Sequence, residues 1–197
     1  MKTKTNNYRY IQLQKWYKKP SNTFLKKIIL DEALRLRDLN LGNNALFIGL
    51  TEFRRKFNSK KYLSYISFDE LSLTERLISF KRLPFEDKSH DIIIMFHALD
   101  YTDNPYELIR EINRIATEDA KIILIGFNKI SLWGLLKPFM KKEESWASNY
   151  HSIYNIQEWF KLLNYEQLEK QTTCFLPFVP RLLQEILSKL RFLQRIF

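Results

Sequence analysis

The residues best suited to form a site follow the apolar runs of this sequence. His97 directly follows the run that starts at Asp91, and Asn128 follows a second run at residues 121–126. The ordinary pKa of histidine lies near neutrality, so His97 suits a general base, although a lone histidine after a strand is often only hydrogen-bonded to the next loop. Gly49 follows the run at residues 45–48, where glycine either lets the backbone approach a ligand or simply forms a turn.

The apolar runs predict the elements that position these residues. Short apolar or alternating segments at residues 45–50, 62–68, 77–80, 91–96, 121–126 and 167–176 are typical of strands, and helical patterns separate several of them. Strands that alternate with helices predict a parallel sheet covered on both faces, in which ligands bind beyond the carboxyl ends of the strands. The candidate site residues at this edge are Gly49, Asp69, Ser79, Phe80, Phe96, His97 and Asn128.

Several classes of site are excluded by missing motifs. The sequence has only four glycines and no GxxxxGK[ST], so it contains no P-loop. It also lacks HExxH and GxSxG, and its three histidines show no metal-ligand spacing, so no metal site is predicted. A single cysteine excludes an intrachain disulfide. With no apolar run of membrane-spanning length and no secretory leader, we expect a cytoplasmic protein.

Charge divides the chain into three parts. Residues 1–40 carry ten basic and three acidic side chains and form a predicted basic helical arm, whereas residues 41–130 carry thirteen of each. The arm suits nucleic acid, an anionic lipid surface or an acidic protein, or it is only a solvated face. We place the main domain at residues 41–180. Residues 181–197 are expected to form an amphipathic helix that closes the sheet edge or makes a peripheral membrane contact. Nothing here indicates an oligomeric state.

Three segments resemble a known family. Residues 83–100, LPFEDKSHDIIIMFHALD, resemble the LPFxDxSFDxVxxxHxLE segment of class I S-adenosylmethionine-dependent methyltransferases of the type-11 kind. Residues 104–115, NPYELIREINRI, are similar to that family's helix DPxxLLREVxRVL. Residues 126–135, GFNKISLWGL, resemble GFNPxSLWGL, a signature of a YafS-like proteobacterial branch.

The resemblance implies a fold and a cofactor. The family has a three-layer, Rossmann-like α/β fold with a mostly parallel sheet of seven strands, the last antiparallel. Because residues 181–197 favour a helix, we expect the seventh strand to be missing. In the family, S-adenosylmethionine lies over the carboxyl ends of the first two strands.

The resemblance also assigns roles by position. Gly49 matches the first glycine of the cofactor loop. Asp69 matches the acid that holds the ribose hydroxyls, although it could equally cap the next helix. Ser79 and Phe80 fall where the family meets adenine. Phe96 and His97 face the methionine moiety and the substrate, and Asn128 lies by the acceptor pocket.

Departures from the family pattern predict a weak cofactor site. Phe47 stands at the loop acid, Thr51 and Phe53 at the second and third glycines, and Ser79 at the adenine-facing aspartate. We therefore expect a methyltransferase that acts on a small, apolar acceptor molecule. A non-catalytic relative that serves as a binding or scaffold module is the alternative. An RNA methyltransferase or RNA-binding protein that uses the basic arm is a second alternative, although no RNP1-like motif supports nucleic acid as a partner.

Overall fold

A computed structural model of the chain describes residues 11–39, 44–49, 53, 63–67, 82–102, 104–131 and 149–169. The described helices are α1 (residues 11–18), α2 (Thr23–Leu39), α3 (Ala98–Tyr101), α4 (Pro105–Ile115) and α5 (Ile153–Lys161). A short 3-10 helix, Pro20–Asn22, joins α1 to α2. The described strands are β1 (Ala45–Gly49), β2 (Leu63–Ser67), β3 (His90–Phe96) and β4 (Ala116–Ile125).

The four strands form one parallel sheet in the order β2-β1-β3-β4. Strand β1 is buried along its whole length, and β3 is buried at every position except the half-buried Asp91. Continuous apolar strands of this kind occur where helices cover both faces of a sheet. The predicted α/β class with a parallel sheet is therefore confirmed.

Helix α4 begins where the sequence predicts. The Asn104 side chain accepts a hydrogen bond from Glu107 N at 3.3 Å, and Pro105 occupies the first turn, where its missing N–H costs nothing. The apolar stripe of the helix is buried in the core through Leu108, Ile109, Ile112 and Ile115.

Some predicted boundaries are wrong. Strand β4 begins at Ala116 and not at Lys121, because Ala116 pairs with His90 and a bulge then absorbs the polar residues that follow. Helix α5 is capped by Ser152, whose hydroxyl accepts a hydrogen bond from Tyr154 N. Residues 167–169, the start of the predicted last strand, are not in a strand. The predictions at residues 77–80, 170–176 and 181–197 lie outside the described residues.

The N-terminal helices pack into the same core as the sheet. Leu13 and Tyr17 of α1, and Leu30 and Ala33 of α2, are buried in one apolar cluster with β1 and β3. Among the described residues, no helix is long and apolar enough to cross a membrane.

A buried carboxylate fixes the loop before β3. Glu111 of α4 accepts a hydrogen bond from Leu83 N at 2.6 Å and one from Arg114 Nε at 3.0 Å. Arg114 also donates to Leu83 O at 3.1 Å and to the exposed Asp87. Burial raises the pKa of Glu111, but the Arg114 and Leu83 hydrogen bonds outweigh it and hold the pKa below its ordinary value of 4.5.

We expect Glu111→Gln to destabilise the protein at neutral pH more than in acid. A carboxylate with a lowered pKa in the folded state stabilises the fold above its ordinary pKa, and this contribution is lost as pH falls below about 4.5. The variant should lose about 1–3 kcal/mol at pH 7, since the replaced hydrogen bonds are charge-assisted. Urea unfolding at pH 7 and pH 3 measures both values. Glu107→Gln on the same helix is the control, and an equal Glu111→Gln deficit at both pH values would contradict this account.

Candidate active site

His97 lies at the carboxyl end of β3 in an unusual backbone conformation. Its φ of 57° and ψ of 20° are left-handed, and its N–H donates to Ile125 O of β4 at 2.8 Å. Few residues other than glycine adopt this region, and the strained conformation is kept only when the surrounding structure holds it. Contacts on both nitrogens of the ring hold His97 in this way.

Asp100 holds the first ring nitrogen. Helix α3 places its carboxylate 2.6 Å from His97 Nδ1, and the same oxygen accepts from Phe127 N at 3.0 Å. Both side chains are almost completely buried. We assign the ring proton to Nδ1, because a carboxylate accepts hydrogen bonds, and this tautomer leaves Nε2 as an acceptor.

Tyr17 of α1 binds the second ring nitrogen. Its hydroxyl lies 2.6 Å from His97 Nε2, although 80 residues separate the two in sequence. Burial raises the pKa of Tyr17 well above its ordinary value, with smaller contributions from Tyr101 and Asp100. The hydroxyl therefore stays protonated and donates to Nε2, which makes a buried Tyr17–His97–Asp100 relay.

Aromatic rings surround this relay. The Phe127 ring lies 4.4 Å from the His97 ring, and Tyr150 stacks on Phe127 at 5.0 Å. On the other side Phe53 stacks on Phe96 at 3.9 Å, and the Tyr17 ring meets Phe53 edge-on at 4.8 Å. The buried polar groups of His97 and Asp100 are therefore enclosed by aromatic side chains.

Gly49 allows the close approach of two strands. A Cβ atom built at Gly49 would lie 2.8 Å from the Cβ of Phe96 and 3.0 Å from the Phe96 carbonyl oxygen. Contacts this short do not occur in real structures, so any other residue would push β1 and β3 apart at their carboxyl ends. The close neighbour of Gly49 is thus the chain itself.

The described residues do not fit S-adenosylmethionine beside Gly49 in this arrangement. The resemblance assigns the carboxyl end of β1 to the cofactor, but Phe47, Phe53 and Phe96 are all fully buried there. Phe53, at the position of the family's third glycine, lies against Phe96, and Tyr17 packs over it. Side chains therefore fill the space that the cofactor would need.

The remaining predicted site residues are distributed as follows. Asn128 follows β4 next to Phe127, and its side-chain oxygen accepts from Ile130 N at 3.0 Å, so its amide holds a turn. The backbone there bridges to His151. Asp69, Ser79 and Phe80 lie outside the described residues, and their roles stay predictions. The structure brings together Gly49, Phe96 and His97 of the predicted set.

Two residues of the site were missed by sequence reasoning. Asp100 stands three residues after His97, a spacing that joins side chains across one helical turn and could have been recognised. Tyr17 carries no local signal, because only the packing of α1 on the sheet brings it to His97.

Part of the chain matches a known domain family. Residues 50–124 match the model of a methyltransferase domain family, type 11. The uncharacterized protein YafS of Escherichia coli is 35% identical over 97 residues, which are 48% of this chain and 40% of that protein. This chain therefore matches less than half the length of that relative. An uncharacterized protein of Methanocaldococcus jannaschii is 23% identical over 177 residues, with 83% of this chain and 82% of that protein covered.

A solved structure supports the fold. The crystal structure of a SAM-dependent methyltransferase from Thermotoga maritima superposes with a TM-score of 0.50 and 12% identity. The superposition covers 77% of this chain and 80% of that chain. At this identity the likeness shows a shared fold, which agrees with the parallel sheet described above.

Proposed function

We propose that this protein, whose residues 50–124 match a methyltransferase domain family, is an S-adenosylmethionine-dependent methyltransferase. We propose further that it acts on a small, largely apolar acceptor. The choice of an apolar acceptor rests on one observation. The buried His97–Asp100 pair stands at the carboxyl end of β3, where ligands bind in parallel sheets, and aromatic rings enclose it.

We assign His97 the role of proton acceptor. Its Nε2 atom already accepts a hydrogen bond from a hydroxyl, which is the geometry that a base needs toward an O–H or N–H group. Asp100 is a positioning residue, because it fixes the proton on Nδ1 and stabilises the imidazolium that forms when Nε2 is protonated.

The other roles rest on the resemblance. We propose that Asp69 holds the ribose hydroxyls and that Ser79 and Phe80 meet the adenine. Asn128 is proposed to face the acceptor, and its place directly after Phe127 supports this. When bound, S-adenosylmethionine supplies an activated methyl group, whereas the protein contributes binding, orientation and exclusion of water.

Titration calorimetry of the full chain tests this proposal. We expect saturable binding of S-adenosylmethionine and of S-adenosylhomocysteine. Asp69→Asn should weaken both by roughly 10- to 150-fold, because hydrogen bonds to a charged partner are lost. Glu70→Gln, the neighbouring acid, is the matched control and should leave affinity unchanged. If neither ligand binds at about 1 mM to the wild type or to a Tyr17→Phe variant, the enzymatic function is removed and a non-catalytic relative remains.

A further inference from the structure

We propose that Tyr17 is an autoinhibitory latch, which occupies the cofactor and acceptor space of the domain and must be displaced before S-adenosylmethionine binds. The inference rests on the proposed function and concerns the regulation of the same site. The resemblance places S-adenosylmethionine at the carboxyl end of β1, whereas in this structure aromatic side chains are packed at the carboxyl ends of β1 and β3. The inference follows from this conflict.

Tyr17 comes from a helix that precedes the first strand of the sheet and lies outside the residues that match the family model. Residues 50–124 match the family model, whereas Tyr17 belongs to α1 near the start of the chain. Its ring is 1% exposed and lies 4.8 Å from Phe53 and 6.2 Å from Phe96. A helix that is separate from the domain in sequence therefore closes the edge of the sheet where its ligands would enter.

The latch holds a second side chain in place. Phe53 is fully buried, with the Phe96 ring stacked on it at 3.9 Å and the Tyr17 ring edge-on to it at 4.8 Å, at the position where the resemblance places a glycine. While Tyr17 is in contact with Phe53, these rings stay packed against Phe96, the residue that lies beside Gly49. Movement of Tyr17 would remove one of the two rings that confine Phe53.

A ligand could replace the hydrogen bond that Tyr17 makes to His97. The Tyr17 hydroxyl satisfies His97 Nε2, and an O–H or N–H group of an acceptor could satisfy the same atom. The latch therefore imitates the contact that the proposed acceptor makes. If the Tyr17 hydroxyl is removed by mutation, the buried Nε2 lacks this hydrogen bond in the closed state. The free energy of the closed state then rises relative to that of a ligand-bound state.

The connection between α1 and α2 is not a continuous helix. Helix α1 ends at residue 18, Lys19 is extended with φ −62° and ψ 135°, and the 3-10 helix Pro20–Asn22 follows. Proline interrupts the helical hydrogen bonds here, so α1 and α2 are not one continuous rod. The Asn22 side chain donates to Trp16 O at 2.8 Å across this joint, so displacement of α1 has to break or carry this hydrogen bond.

Titration of S-adenosylhomocysteine into the full chain and three variants tests the latch. Tyr17→Phe keeps the ring and removes only the hydroxyl, so its affinity should rise about 2- to 12-fold, the equivalent of one neutral hydrogen bond. Tyr17→Ala also removes the ring and should bind more tightly still. Lys18→Ala changes the exposed neighbour on the same helix and should match the wild type.

The outcomes separate this inference from the proposed function. If all proteins bind S-adenosylhomocysteine and Tyr17→Phe binds no more tightly than the wild type, the latch is wrong and the methyltransferase proposal stands. If no protein binds it, including the Tyr17 variants, both proposals fail. Circular dichroism tests whether each variant is folded. If Tyr17→Ala is unfolded, the comparison of Tyr17→Phe with the wild type decides the question.

Discussion

Replacement of Asp100 by alanine is expected to lower the free energy of unfolding by about 2–5 kcal/mol. The carboxylate accepts hydrogen bonds from His97 Nδ1 and from Phe127 N, and both donors are left without it in a site closed to water. The left-handed backbone of His97 also loses a contact that holds it. Urea unfolding monitored by circular dichroism measures the change.

Two further variants make this result specific. Asp100→Asn keeps the size and one acceptor oxygen, so it should lose about 1–3 kcal/mol, less than alanine does. Asp119→Ala removes an exposed carboxylate on β4 and should change stability by about 0.5 kcal/mol or less. If Asp100→Ala is as stable as Asp119→Ala, the relay described here does not hold His97.

Replacement of Gly49 by valine should prevent normal folding. A Cβ at this position meets the Phe96 Cβ at 2.8 Å and the Phe96 carbonyl oxygen at 3.0 Å, neither of which is the end of a flexible side chain. Gly49→Ala should cost about 1–3 kcal/mol through overpacking, and the branched valine should cost more. Gly126→Ala is the milder comparison, because its Cβ would lie 3.2 Å from Asp100 Oδ1.

Thermal and urea unfolding of the three glycine variants test this order. A Gly49→Ala protein with wild-type stability would contradict the close packing of β1 on β3. The result also bears on ligand studies, because cofactor binding lost in Gly49→Val would reflect a disturbed sheet and would not by itself assign Gly49 to the cofactor site. Asp69→Asn is the better probe of that site.

The sheet could be predicted from local pattern because its strands are short and strongly apolar. Residues 92–96 are continuously hydrophobic, and the order of strands and helices then limits the topology to a parallel sheet. The start of β4 could not be predicted in this way. Residues 116–120 are mixed in polarity and resemble a turn, and only their pairing with β3 makes them a strand.

The position of the site could be predicted from the sequence, but the side chains that fill it could not. The rule that ligands bind beyond the carboxyl ends of parallel strands identified Gly49 and His97. The resemblance added Phe96, and the structure brings the three together. The close approach inferred for Gly49 is present, but its neighbour is Phe96 and not a ligand. Tyr17 and Phe53 reach each other only through tertiary packing, so no spacing in the sequence reveals that they fill this space.

A crystal structure of the Tyr17→Phe variant grown with S-adenosylhomocysteine tests the central claim most directly. The account predicts that the ligand lies beyond the carboxyl ends of β1 and β3, with Phe53 displaced from the Phe96 ring and His97 still held by Asp100. It would be contradicted by a structure in which Phe53 remains stacked on Phe96 and no ligand lies beside Gly49.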